Sequence, residues 1–290
     1  MSSRAGTAVI RRMLDEDVPI AADVLRRGDF GDRDDFLRWA LGRRAVSLFV
    51  AEVAGRVVGT GVASAHGPVG WVGVIFVAPA YRGSGIGRQL TRTVIDQLEQ
   101  DGCRSIVLIA SPLGRPIYER EGFSVLDTQV RFTIDAIALE GDGDHDQPAT
   151  SDAVRPFAPS DRDAVVALDR FATGEDRSVV LRDLVTPATT LVAVGPDDEI
   201  RGYLTRPPWR GGAVIAPDPA DALHLLERRR RMPGVSGRVG AGLLATNERG
   251  RAILREAGWA EEVGNIRMLR GEPIDWHPDA IWAQMNGALG

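Results

Sequence analysis

A glycine-rich stretch in the first half of the chain has the residue types of an anion site. Arg82–Arg88 reads RGSGIGR, and the apolar spacing of a helix begins within it. A glycine-rich turn that opens a helix commonly holds an anion, because unpaired backbone N–H groups and the positive end of the helix dipole point outward together. The segment therefore predicts a site for a phosphate or pyrophosphate group.

One of three anion-loop patterns fits this stretch. The loop of nucleoside triphosphatases needs Lys and then Ser or Thr after its last glycine, where Arg88 and Gln89 stand. The dinucleotide fingerprint G-x-G-x-x-G would need a glycine at Arg88. The pattern R-x-x-G-x-G is met by Arg82–Gly87. A helix start with flexible glycines and no ligand is the alternative interpretation.

A tyrosine further along the chain is the second candidate for chemistry. Tyr118 opens the stretch Tyr118–Phe123, which reads YEREGF. A tyrosine hydroxyl, with an unperturbed pKa of about 10, can protonate a leaving group. The alternative is a tyrosine that packs its ring and bonds the backbone.

Strands and helices alternate around these residues. The apolar run Gly70–Val77 predicts a strand that leads into the glycines, and apolar residues spaced by four predict the helix after them. Ser105–Ala110 predicts a buried strand, and Ser124–Asp127 and Gln129–Ile134 predict two more.

The strand Trp71–Val77, the loop Arg82–Gly87 and the Y-x-x-x-G-F segment Tyr118–Phe123 occur in an order that resembles the GNAT superfamily of acyl-CoA-dependent N-acetyltransferases. The resemblance covers Ala45–Val125. It implies an α/β (α+β) fold class, with a mixed, mostly antiparallel central sheet flanked by helices. That sheet would open between Trp71–Val77 and Ser105–Ala110, and pantetheine would lie in the opening.

The resemblance also implies a role for individual residues. Acetyl-CoA would be the cosubstrate, with no metal, and Tyr118 would be the catalytic residue, as general acid toward the CoA thiolate. The expected cofactor-binding residues lie on the strand, in the loop and after the next strand: Ile75, Phe76, Val77, Arg82, Gly83, Ser84, Gly85, Ile86, Gly87, Arg88 and Ser111.

The sequence defines the general base and the acceptor site less closely than it defines the cosubstrate site. Many members of the superfamily carry a Glu on or near the strand before the loop, but Trp71–Val77 has no carboxylate. His66, Glu52, a water chain or an amine that is already partly neutral are the alternatives. Four aspartates are candidates to line a site for a cationic amine, or else to form a solvated helix start: Asp29, Asp32, Asp34 and Asp35.

Length and element order predict two domains. The chain has 290 residues, and the element order repeats at half length, which suggests two copies of one fold. We expect a GNAT domain over 1–138, an acidic linker over 139–152 and a degenerate GNAT-like domain over 153–290. In the second copy the loop is replaced by Ala216–Pro219, two prolines and an aspartate among them, and the tyrosine position is Leu254.

Composition excludes several other classes. The net charge of −5 argues against a nucleic-acid partner, and the single cysteine, Cys103, excludes an internal disulfide and is expected to be buried. No signal peptide and no apolar run of about 20 residues occurs, so we expect a cytoplasmic protein without a membrane partner. An oligomer is compatible with the sequence.

These inferences predict an N-acetyltransferase that moves an acetyl group from acetyl-CoA to a primary amine. The amine would be a small molecule and would attack the thioester directly. Two alternatives remain open. One is a CoA-binding sensor or scaffold without turnover. The other is a two-domain acyltransferase whose acceptor site lies between the domains.

Overall fold

The computed structural model describes residues 7–28, 30–137, 153–209 and 211–290. The chain forms two compact units. Unit one comprises residues 1–126, 267–273 and 287–289, and unit two comprises residues 127–266, 274–286 and 290. Asp29 and the expected linker over 139–152 lie outside the described residues, and the expected domain bounds stay predictions.

Unit one alternates strands and helices along the chain. Its strands are β1 (Val9–Arg12), β2 (Val46–Val53), β3 (Arg56–His66), β4 (Val69–Val77), β5 (Ser105–Ala110) and the start of β6 (Ser124–Asp135). Its helices are α1 (Val18–Arg27), α2 (Asp34–Ala40), α3 (Ile86–Gln100) and α4 (Arg115–Arg120).

Helix α3 packs on the sheet through the apolar positions that its sequence spacing predicts. Leu90, Val94 and Leu98 are all fully buried. They approach the backbone of β3 closely, since a β-carbon on Gly61 would lie 3.1 Å from Val94 Cγ2. Glycine at this position therefore sets how near the helix lies to the sheet.

The sheet of unit one contains a strand from far along the chain. Strands β1 to β5 neighbour one another in order, β1 to β4 are antiparallel, and β4 pairs with β5 in parallel. The next neighbour of β5 is β13 (Ile266–Gly271), which in turn neighbours β6. The two strands predicted over 124–127 and 129–134 form the single strand β6.

Unit two repeats the alternation. Besides β13 and the end of β6, the second half of the chain forms the strands β7 (Val154–Pro156), β8 (Thr190–Val194), β9 (Ile200–Thr205), β10 (Val214–Ile215), β11 (Arg238–Leu244), β12 (Ala260–Glu262) and β14 (Ile281–Ala283). Its helices are α5 (Arg162–Thr173), α6 (Ser178–Leu184), α7 (Pro219–Arg230) and α8 (Glu248–Glu256). One sheet has the order β14-β10-β9-β8-β7, and β11 and β12 pair with β6. The predicted fold class, with mostly antiparallel sheets flanked by helices, is confirmed.

An ion pair near the first strand of unit one recurs in unit two. In unit one, Arg11 donates two hydrogen bonds to the carboxylate of Asp17, at 2.6 and 2.9 Å, and the Leu14 N–H donates a third at 2.8 Å. The Nε of Arg11 bonds Glu52 at 3.0 Å. The arrangement ties β1 to the start of the first helix.

The same bonds recur in unit two with different residues. Arg155 donates to Asp161 at 2.7 and 3.0 Å, and the Ala158 N–H donates to it at 2.7 Å. Arg155 Nε bonds Asp198 at 3.0 Å. Because both the bonds and their order along the chain repeat, the two halves are copies of one structural plan.

Unit two also buries a charged cluster. Arg177 donates to both carboxylate oxygens of Asp169, at 2.9 and 2.5 Å, and the Tyr203 hydroxyl donates to the same carboxylate. All three side chains are almost completely buried, and burial raises the pKa of Tyr203. A buried pair of this kind is costly to break, since the remaining charge would have no partner.

We expect Asp161→Asn to lower the free energy of unfolding by about 2 kcal/mol, because it removes charge-assisted hydrogen bonds from a buried carboxylate. The hydrogen bond from Arg155 holds the pKa of Asp161 below its usual 3.8. The stabilisation is therefore present above pH 3.8 and is lost as the pH falls through the lowered value. Urea unfolding at several pH values measures it. The control is Asp163→Asn, at an exposed position of α5, and equal losses in the two variants would contradict the prediction.

Candidate active site

The sheet of unit one opens between β4 and β5. The parallel ladder joins Val69–Trp71 to Ser105–Val107, and no later residue pair of the two strands is part of it. The remaining residues of β4 thus present backbone N–H and C=O groups toward β5 that the ladder does not use. Buried backbone groups need hydrogen-bond partners, so this edge is suited to an extended polar ligand.

A bulge marks the point where the strands separate. Val74 has a φ of 50°, and the register between β3 and β4 shifts between Thr60 and Val62. The Thr60 hydroxyl donates to the Val74 carbonyl at 2.8 Å. A β-branched residue at positive φ is strained, and this bond helps to hold it there.

The glycine loop has the geometry that an anion requires. Gly83 and Gly85 have φ values of 79° and 85°, and a β-carbon on either would have no neighbour within 4 Å. Gly85 is the N-cap of α3, and the Gln89 N–H is bonded to its carbonyl. The first-turn N–H groups before Gln89 have no acceptor within the helix. No residue of 82–88 is acidic, so the loop fits a diphosphate.

The two arginines of the loop are partly engaged within the protein. Arg82 donates from Nε to the Val77 carbonyl at 3.0 Å, and its guanidinium lies 5.6 Å from the Phe76 ring centroid. Arg88 bonds Glu121 at 2.6 Å. Both side chains are exposed, so their other N–H groups face solvent beside the loop.

Tyr118 lies on α4, next to the start of α3. A β-carbon on Gly87 would be 3.5 Å from Ile117 Cδ1 and 3.7 Å from Val77 Cγ2, which shows that α3, α4 and β4 meet here. The Tyr118 ring packs edge to face against Phe123 at 6.0 Å and is 8% exposed. Burial raises the pKa of Tyr118 to about 12.

Ser111 is placed at the turn into α4. Its hydroxyl accepts a hydrogen bond from the Gly114 N–H at 3.2 Å. This contact orders the turn that carries Tyr118, and the side chain is exposed. A contact to CoA remains a prediction.

The candidate bases do not lie at the opening. His66 is buried rather than solvated and pairs with Val69, at the opposite end of β4 from Ile75–Val77. The six residue steps from Val69 to Ile75 correspond to about 20 Å of strand. Glu52 is the ion-pair partner of Arg11.

The lone thiol and the acidic cluster are also accounted for. Burial raises the pKa of Cys103 to about 11, so it is no nucleophile at neutral pH. Asp32 Oδ1 lies 3.4 Å from Arg26 Nη2, and Asp34 Oδ2 lies 2.6 Å from Arg38 Nε. These two carboxylates are neutralised locally, which favours the helix-start interpretation.

An aromatic contact near the opening was not evident from the sequence. A β-carbon on Gly28 would overlap the Phe76 ring at 1.9 Å, and Phe30 packs on the same ring at 5.8 Å. The loop after α1 therefore rests on β4 beside the bulge. The sequence offered one signal of this contact, the glycine that directly follows α1. A glycine at such a position more often only caps the helix.

Unit two closes the equivalent helix start with its own carboxylate. Asp218 is the N-cap of α7 and accepts a hydrogen bond from the Ala220 N–H at 2.8 Å. Its carboxylate occupies the place at the helix N-terminus that an anion would take. Leu254, at the position expected for the tyrosine, is fully buried.

Two further findings concern the described part of the chain as a whole. None of its helices has both the length and the apolar character that a membrane span needs. Within the same residues, no three His, Cys, Asp or Glu side chains are grouped so that they could hold a metal ion.

Family models match both halves of the chain. A model described as the acetyltransferase (GNAT) family matches residues 11–123, and one described as an acetyltransferase (GNAT) domain matches residues 165–283. Together they cover most of the chain, which belongs to the GNAT acetyltransferase family. The predicted family and the tandem arrangement are confirmed. The enzyme class of this family is the acyltransferases.

A curated relative is also described as an N-acetyltransferase. An uncharacterized N-acetyltransferase of Bacillus subtilis, YitH, is 27% identical over 165 residues, which is 54% of this chain and 55% of that protein. The chain spans about half the length of the curated relatives it matches.

Solved structures establish the fold over nearly the whole chain. A protein of Pyrococcus horikoshii that is provisionally described as an acetyltransferase superposes with a TM-score of 0.79 at 19% identity, covering 100% of this chain and 98% of that one. A tandem GNAT protein from the clavulanic acid biosynthesis pathway has a TM-score of 0.60 at 16% identity, over 92% of this chain and 99% of its own.

We expect Tyr118 to remain protonated across the whole range in which the protein is folded, because burial raises its pKa to about 12. Ultraviolet difference titration of the unsubstituted protein and of Tyr118→Phe, with circular dichroism to monitor folding, measures this. The control is Tyr81→Phe, at a less buried position. A tyrosinate signal near pH 10 that disappears in Tyr118→Phe would contradict the prediction, since 10 is the unshifted value.

Proposed function

We propose that the protein is an acetyl-CoA-dependent N-acetyltransferase whose active site lies in unit one and whose acceptor is a small primary amine. The observation that carries the proposal is the continuous path from the open edge of β4, through the glycine loop, to the free N–H groups of α3. An extended polar chain that ends in a diphosphate matches this path. The Bacillus subtilis relative is described as an N-acetyltransferase, which supports an amine as acceptor.

Acetyl-CoA would supply the acetyl group as a thioester. The β4 backbone at Ile75, Phe76 and Val77 would bond the pantetheine arm and orient the carbonyl. Residues 82–88 would hold the pyrophosphate through backbone N–H groups, aided by the positive end of α3. Tyr118 would donate a proton or a hydrogen bond to the departing sulfur atom.

The amine would have to arrive without its extra proton, because only a free lone pair can attack. No residue of β4 has a carboxylate to accept that proton. An amine that loses its proton to solvent satisfies this requirement. Deprotonation in solution then takes the place of a dedicated base.

Unit two would bind no cosubstrate of its own. The Asp218 cap and the two prolines beside it support this part of the proposal, because they remove both the donors and the charge preference that a diphosphate needs.

Calorimetric titration of acetyl-CoA into the protein should give one site per chain. We expect Gly85→Glu to abolish binding, because it adds a carboxylate and a side chain at a φ of 85°. Gly102→Glu is the matched control, since Gly102 follows α3 in the same unit with a φ of 87° and open space around it.

The controls separate the outcomes of this titration. Equal loss of binding in both variants would indicate general strain and would contradict the site assignment. Two sites per chain would mean that unit two also binds acetyl-CoA and would contradict its assignment as a degenerate copy. No binding by the unsubstituted protein would overturn the acetyltransferase proposal.

We expect Tyr118→Phe to lower kcat by about 100-fold, the lower end of typical general-acid effects, with little change in the Kd for acetyl-CoA. Steady-state kinetics with a good amine acceptor, together with calorimetry, test this. Unchanged kcat would exclude Tyr118 as the acid. Tight binding of acetyl-CoA with no turnover on any amine of a broad screen would favour the sensor interpretation.

A further inference from the structure

A short segment from late in the chain covers one face of β4 at the bulge. Gly287, Ala288 and Leu289 belong to unit one. The Ser64 hydroxyl on β3 donates to the Ala288 carbonyl at 2.6 Å, across 224 positions of sequence. Ala288 and Leu289 are 2% and 0% exposed, while Gly287 is exposed. The segment is thus seated on the sheet with one residue open to solvent.

The contact with β4 is at Gly73, directly before the bulge. A β-carbon on Gly73 would lie 2.4 Å from Ala288 Cβ and 3.0 Å from the Gly287 carbonyl oxygen. Contacts below 3.0 Å are sterically excluded, so no side chain fits at this position while the segment is in place. The segment fills the space that a β4 side chain would otherwise occupy.

The covered face is the one opposite helix α3. A β-carbon on Gly70 would point toward Leu98 of α3 and toward Cys103. Side chains alternate between the two faces of a strand, so Gly73, three residues later, faces the other way. The proposed path of acetyl-CoA runs to the start of α3, which leaves the opposite face of β4, where Gly287–Leu289 lies, for the approach of an amine.

We propose that Gly287–Leu289 forms the wall of the acceptor site and limits the acceptor to a small, unbranched primary amine. This inference rests on the proposed acetyltransferase function. Ala288 sets the size limit, because its methyl group stands against Gly73. Ser64 is a positioning residue, because its hydroxyl fixes the segment on the sheet.

Ser64→Ala tests the inference, with Ser105→Ala as its matched control. Ser105 also stands on a strand of unit one and donates at 2.8 Å to a late-chain carbonyl, that of Glu272. The probes are propylamine and benzylamine. We expect Ser64→Ala to raise the ratio of kcat/KM for benzylamine to that for propylamine about tenfold, which corresponds to about 1.4 kcal/mol. Ser105→Ala should leave the ratio unchanged.

Ala288→Gly provides a second variant that keeps the hydrogen bond and removes only the methyl group. It should raise the same ratio, mainly through a lower KM for benzylamine, with the Kd for acetyl-CoA unchanged. Hydrogen exchange at residues 287–289 should accelerate in Ser64→Ala but not in Ser105→Ala. A merely structural role would alter exchange without changing the preference between the two amines.

The possible failures are distinguishable. If acetyl-CoA binds and propylamine is acetylated, an unchanged amine ratio in both Ser64→Ala and Ala288→Gly overturns the wall and leaves the proposed function intact. If the unsubstituted protein does not bind acetyl-CoA, the proposed function fails, and the inference fails with it.

Discussion

The constraint on which the site depends is that β4 loses its partner strand before it ends. Up to Trp71, its backbone groups are paired with β5. Beyond that point they need other partners, because buried backbone groups are rarely left unpaired. The bulge at Val74 and the Thr60 hydroxyl bonded to it accommodate the change of direction locally. The same strand then leads into the glycine loop, so that the end of one ladder sets both the open edge and the position of the proposed anion site.

Duplication explains why the second half resembles the first, although the two differ at the feature to which we assign cosubstrate binding. Both halves keep a bidentate arginine–aspartate bond that ties the first strand to the first helix, Arg11 to Asp17 and Arg155 to Asp161. That bond serves the fold, and its loss would cost stability in either copy. In the proposed function, the helix start after the fourth strand would serve binding instead. There, one copy has open glycines and the other has a capping carboxylate, Asp218.

Local sequence was enough to predict the strand before the glycine loop and the helix after it, since apolar spacing and glycine position determine both. It was also enough to predict a second copy in which Ala216–Pro219 replaces the glycine loop, although not that Asp218 caps the helix. It was not enough for contacts between distant parts of the chain. The place of β13 next to β5, and the Ala288 methyl group against Gly73, depend on tertiary packing and leave no periodic signal. The burial of His66 at the end of β3, which removes it as a candidate base at the opening, depends on tertiary packing in the same way.

The raised pKa of Tyr118 limits how it can act. A hydroxyl with a pKa of about 12 is a weaker acid than a thiol with a pKa of roughly 8.5, so full proton transfer to the thiolate in water would be unfavourable. The same burial that weakens the acid keeps it protonated, and a protonated hydroxyl can donate a hydrogen bond to sulfur as charge develops there. Such a bond is stronger in a buried site than in water, and it requires no change in protonation state. Tyr118 therefore fits the role of a fixed hydrogen-bond donor to the leaving group, with the final proton transfer completed as the thiolate reaches solvent.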